Sequence, residues 1–205
     1  MRPMSLSSLP IDSVAVFVAD ASVIINLNAT GRASEIVGAF PDKFVATGIT
    51  VAELEAGAKK GHDDAEKLRY LIENGLFELV QLGEVGGAIY ASLIDGTAIQ
   101  TLDDGEASTI GYACERGCVA LIDERKARSI CAIRFPQLRV LSTVDLLIHN
   151  RAALALGRQG QADAIFNALR SARMRVPNEH LSKVIGLIGK ERAATCSSLP
   201  RGRAI

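Results

Sequence analysis

Five short runs rich in β-branched and apolar residues, VAVFVAD, KFVATG, LFELVQL, CVALIDE and LRVLST, are each separated from the next by at least one stretch of helical periodicity. This alternation constrains the fold more than any other feature of the chain. Strands joined through helices run parallel, and a parallel sheet is apolar on both faces, so both have to be covered. The intervening helices read as SVIINLNATG and SEIVGAF, then TVAELEAGAKKG and a longer helix ending near Asn74, then GGAIYASLI and DGEASTIGYACERG, and last ERKARSICAIRF. Gly75, Gly96 and Gly117 follow helices, and Thr50 stands three residues before Glu53, the spacing of a capping box. The expected fold is α/β, three-layer α/β/α, with a central parallel sheet of four or five strands.

After Thr143 the pattern turns all-helical, with TVDLLIHNRAALALG, QADAIFNALRSAR and NEHLSKVIGLIGKERA separated by glycine or proline. The final stretch, ATCSSLPRGRAI, is small, polar and basic without periodicity, as in a mobile tail. The chain is therefore expected to divide into an N-terminal extension (1–13), an α/β core (14–142), a helical extension packed on that core (143–193) and a flexible tail (194–205).

A chain of 205 residues, 48% hydrophobic and 22% charged, has the composition of one globular core with an extension. Its longest apolar runs fall far short of the roughly 20 residues that span a bilayer. MRPMSLSSLP lacks the apolar segment and small-residue site of a secretory signal, so a cytoplasmic protein without a membrane partner is expected. The four cysteines are irregularly spaced and are expected as reduced thiols. His62, His149 and His180 are scattered, none at an expected strand end, which favours surface or packing roles.

Net charge is zero, but the average conceals a division. Residues 1–123 carry 8 Lys+Arg against 18 Asp+Glu, or −10; residues 124–205 carry 15 against 5, or +10. A basic C-terminal half of this kind suits a polyanion bound beside carboxylates, although solvated helix faces account for it equally well.

The acids that draw attention lie where a parallel sheet places its ligands, outside the carboxyl ends of the strands. Asp20 closes VAVFVA and Asp123 closes VALI. Glu53 falls in the first turn of TVAELEAG, and Glu106 in the first turn of GEASTIGYAC. Each has an ordinary explanation taken alone: Glu53 as half of a capping box, Glu106 as a first-turn acid, Asp123 as a helix cap. Their joint placement is what carries weight. Four carboxylates at one edge repel unless a cation neutralises them, and phosphodiester hydrolysis with divalent ions needs such a set of hard oxygens.

The motifs VFVADASVIINL, VAELEAG, DDGEASTIGYACERG and VALIDERKAR, in this order, resemble the PIN-domain family, most closely its branch of VapC-like toxins and predicted nucleic-acid-binding proteins. The resemblance runs from about Val14 to about Lys190 and takes in VLSTVDLLIHNRAALALGRQG. It implies a metal-dependent ribonuclease acting on single-stranded RNA, with Asp20, Glu53, Glu106 and Asp123 as ligands of one or two Mg²⁺ or Mn²⁺ ions. It also implies Ser22 as a supporting hydroxyl, Glu124 as a second acid behind Asp123, a homodimer, and a small antitoxin as partner. Arg128 is expected either to reach a phosphate or to pair with Glu124. Glu106 departs from the aspartate common in that branch, with Asp103 and Asp104 beside it as substitutes. Ser142 and Asp145 stand where the branch often has glycines, and Asp145 either adds an acid to the rim or caps a helix. A non-catalytic RNA-binding or regulatory module of the same fold is the main alternative. Receiver domains and haloacid-dehalogenase-like phosphatases need an acidic pair or Asp-x-Asp after the first strand, which Ala19-Asp20-Ala21-Ser22 lacks.

Overall fold

The structure, a computed structural model, describes residues 15–97 and 101–200. The N-terminal extension 1–13 and the tail end 201–205 lie outside the described residues.

Five strands, β1 (Val16–Ala19), β2 (Lys43–Thr47), β3 (Glu78–Val80), β4 (Val119–Leu121) and β5 (Arg139–Leu141), form one sheet in the order β3-β2-β1-β4-β5, with all four pairings parallel. Side chains alternate across it. Phe17, Ala19, Phe44, Ala46, Val119 and Leu121 face a layer that includes α1 (Ala21–Ala29), α2 (Ala33–Gly38) and α4 (Asp64–Glu73). Val18, Val45, Ala120 and Ile122 face α5 (Glu84–Ile94), α6 (Asp104–Arg116) and α7 (Arg125–Arg134). Phe17 and Phe44 pack edge to face at 5.1 Å, with Phe40 closing the group.

The strand order sets the position of the crevice. From β1 the chain moves to β2 on one side, and from β4 to β5 on the other, so their outgoing connections separate at the carboxyl ends of these two neighbours.

Helix α3 (Gly48–Ala58) begins one turn earlier than its sequence suggests. Thr47 ends β2 and also caps α3, its Oγ1 accepting the Thr50 N–H at 3.1 Å and lying 2.8 Å from Ser108 Oγ on α6. Glu53 consequently lies in the second turn, and the expected Thr50–Glu53 capping box does not form.

Beyond β5 come α8 (Thr143–Leu147), α9 (Asn150–Ser171), a 3-10 turn (Asn178–His180), α10 (Leu181–Ile188) and α11 (Lys190–Thr195). Helix α9 is broken at Gly157, whose φ of 68° and ψ of 166° only glycine adopts readily. Leu146, Ile165, Leu169 and Val184 are buried in the same cluster as Phe17. The segment 194–200, expected within the tail, finishes α11 and buries Cys196 and Leu199 against that cluster. These two apolar side chains anchor it, and neither forms part of a periodic pattern that sequence reading would detect. The four cysteines are free, and among the described residues no helix is long and apolar enough to cross a membrane.

Candidate functional site

Asp20 follows β1 directly. Its backbone N–H donates to Leu121 O of β4 at 3.2 Å, and it is the N-cap of α1 in extended conformation. Oδ1 accepts from the Val23 N–H at 2.8 Å and from Ser22 Oγ at 2.9 Å. Oδ2 is buried and has no hydrogen-bond partner among the described residues. A cap alone requires one oxygen, which serine or asparagine supplies without burying a second acceptor. Burial raises the carboxyl pKa well above its ordinary value, the neighbouring Asp123 raises it further, and Glu106 adds a smaller push.

Asp123 stands two residues past the end of β4 and is also buried. Its Oδ1 accepts the Thr143 N–H at 2.7 Å; its Oδ2 accepts from Asn26 Nδ2 at 2.7 Å and from Thr143 Oγ1. Burial still pushes its pKa up, against the pull of those donors and of Arg128. Asp123 does not cap α7. That position belongs to Glu124, which makes no side-chain cap bond. Ser22 and Asn26, four residues apart on α1, therefore serve one carboxylate each.

The two glutamates reach the same edge from helices. Glu106, in the first turn of α6, has its pKa raised to about 7, by burial first, with Asp103, Glu124 and Glu53 adding to it. Glu53 is an exposed residue whose carboxylate lies against Gly105, close enough that a Cβ there would collide with Oε2. Desolvation raises its pKa, as do Asp103 and Asp104, while the Gly105 backbone opposes the shift. Asp104 accepts from the Tyr90 hydroxyl at 2.7 Å, which turns one of its oxygens toward α5.

The sequence model of a family described as a PIN domain matches residues 16–190. The chain belongs to the PIN-domain family. No curated protein and no solved structure matches it. PIN domains are generally nucleases, which implies a nucleic-acid substrate, and they typically use divalent metal ions.

In this PIN domain the acids occupy one edge without forming a finished cage: among the described residues, no three Asp, Glu, His or Cys side chains stand close enough together to hold a metal ion as placed. Asp20 is coupled electrostatically to Asp123 and Glu106, and Glu106 to Glu53. The donors nevertheless fit a hard divalent cation. All four are carboxylates, and the buried unpartnered Oδ2 of Asp20 is the kind of oxygen such an ion takes up.

Arg128 does not pair with Glu124. Its guanidinium donates to Ile122 O at 3.3 Å and stands 4.0 Å from Glu179. Glu124 instead pairs with Arg175 at 2.8 Å. Asp145 forms a capping box with Ser142 at the start of α8 and lies 2.8 Å from His180 Nε2. Sequence reasoning missed Asn26 and Thr143, the two residues that hold Asp123. The available signal for Asn26 was a polar residue one turn after Ser22 in a mainly apolar helix.

Proposed function

We propose that this PIN domain is a metal-dependent endoribonuclease that hydrolyses phosphodiester bonds of single-stranded RNA. Asp20, Glu53, Glu106 and Asp123 would hold one or two Mg²⁺ or Mn²⁺ ions. The observation that carries the reading is the Asp20 carboxylate: buried, beside a second buried carboxylate, with one oxygen left unpartnered.

When bound, such ions lower the pKa of a water and stabilise charge on the scissile phosphate. The chain's own residues prepare the site for them. Ser22 and the Val23 amide fix Oδ1 of Asp20, which leaves Oδ2 as the donor. Asn26 and Thr143 fix both oxygens of Asp123. Gly105, lacking a Cβ, admits the Glu53 carboxylate beside α6. With aromatic residues at only 4%, substrate recognition rests on phosphates more than on stacked bases. Resemblance to the VapC-like branch supports a toxin role, with a homodimer and a small antitoxin covering the acidic cleft in the cytoplasm.

A second reading, a non-catalytic RNA-binding or regulatory module, is favoured by one feature: among the described residues the acids do not already converge in threes. A gel assay with labelled single-stranded RNA separates the two. Wild-type protein should cleave in Mn²⁺ or Mg²⁺ and stop in EDTA, and Asp20→Asn should lower the rate by more than about 100-fold. RNA binding without cleavage in either metal would establish the second reading.

A further inference from the structure

A cleft of about 190 Å³ is lined by residues of two stretches of chain: Ser22, Asn26, Asp123 and Glu124 from the site described above, and Arg173 and Arg175 from the turn after α9. That is smaller than the roughly 300 Å³ or more of pockets that enclose a whole small molecule, and it suits one edge of an extended ligand. The two arginines differ. Arg175 is paired with Glu124, whereas exposed Arg173 has no hydrogen bond or ion pair among the described residues.

The backbone at Arg173 is unusual as well. It is the one non-glycine residue with positive φ, at 54°, among the described residues. The left-handed positions after α4 and α6 are filled by Gly75 and Gly117, the residue type that bears this conformation without strain. The turn is held from both sides: Ala172 N–H and Met174 N–H both donate to Ala168 O, and the Met174 side chain is buried in the core. The turn thus puts an arginine where glycine fits better, and that unpaired arginine lines a cleft that the buried Asp123 also lines.

We infer that Arg173 grips a backbone phosphate next to the scissile one, making the turn after α9 a phosphate subsite for a nucleic-acid strand. The cleft's mixed charge selects this ligand class. Glu124 and Arg175 offset each other across the cleft, so a lone anion would still meet Asp123 and a lone cation would still meet Arg173. A strand with regularly spaced phosphates can place one over the acids with their cations and the next against the guanidinium. The inference rests on the nuclease reading for the position of the scissile phosphate, but it has a readout of its own.

The test uses the full chain and a short labelled single-stranded RNA, with binding followed by anisotropy in EDTA and again in Ca²⁺, which carboxylates also hold, across a range of salt. Arg173→Gly should weaken binding about three- to tenfold and lower the salt slope by about 0.7, the loss of one phosphate contact. The melting temperature should hold or rise, because glycine suits the left-handed turn. Arg173→Lys, which keeps the charge, should retain most of the slope. In Mn²⁺, Arg173→Gly should raise KM with kcat little changed. Unaltered RNA affinity and slope in Arg173→Gly overturn the subsite, as does an absence of RNA binding by the wild type. Selective loss of binding to a glutamate-rich peptide overturns it in favour of an acidic protein partner. Lost cleavage by the wild type with the Arg173 effect on binding intact would reject the nuclease reading and leave the subsite standing.

Discussion

Asn26 shows how much of the site depends on single hydrogen bonds. Its amide is one of three donors that hold Asp123, and partners behind a metal ligand, the role proposed for Asp123, typically matter by 10–100-fold. Asn26→Ala should therefore lower metal-dependent cleavage by about 10–100-fold, with circular dichroism unchanged, because both Thr143 donors remain. Glu106 gives a prediction in pH. Burial raises its carboxyl pKa from the ordinary 4.5 to about 7 in the folded protein. Between these limits the folded state binds a proton that the unfolded state has released, so this group's stabilisation is complete below about 4.5 and lost as pH rises through about 7. In EDTA, Glu106→Gln should melt like wild type near pH 4 and progressively above it toward neutrality. A constant offset across that range would contradict the assignment. Asp20 and Asp123 were legible in the sequence because each ends a recognisable strand. Asn26 and Thr143 were not, since a single amide in a helix and a single threonine after a strand acquire meaning only when folding brings them to Asp123. The expected Arg128–Glu124 pair failed for the same reason: the actual partners, Arg175 for Glu124 and Glu179 for Arg128, each lie 51 positions further along the chain.

Among the elements, the five strands were readable because apolar runs bounded by polar residues survive any detail of packing. Helix α3 was misplaced by a turn because Thr50 mimics a cap, while the working cap, Thr47, is also the last residue of β2 and is recruited by Ser108 from α6. That contact belongs to a close approach of α3 and α6 in which Gly105 faces Glu53. A methyl group at Gly105 would meet the flexible end of Glu53 rather than backbone. Gly105→Ala should thus displace the carboxylate at little cost to the fold. Cleavage should fall to the level of Glu53→Ala with a melting temperature within a few degrees of wild type, and combining the two substitutions should add nothing further. An additive double variant would place the two residues in separate roles.

Over the whole molecule, a net charge of zero conceals acids and bases that the fold brings to one cleft. Ser22, Asn26 and Asp123 of the acidic first 123 positions line it together with Arg173 and Arg175 of the basic remainder. The charge division was visible in the sequence; that the basic turn after α9 faces the end of β4 was not, because nothing local to residues 172–175 encodes it. In the proposed function, the carboxylates at the ends of β1 and β4 act as one cation site. Calorimetric titration of Mn²⁺ into the metal-free protein tests this directly. Wild type should bind with an affinity that falls by more than about tenfold in Asp20→Asn and equally in Asp123→Asn. Binding of equal strength in all three proteins, or none in the wild type, would contradict it.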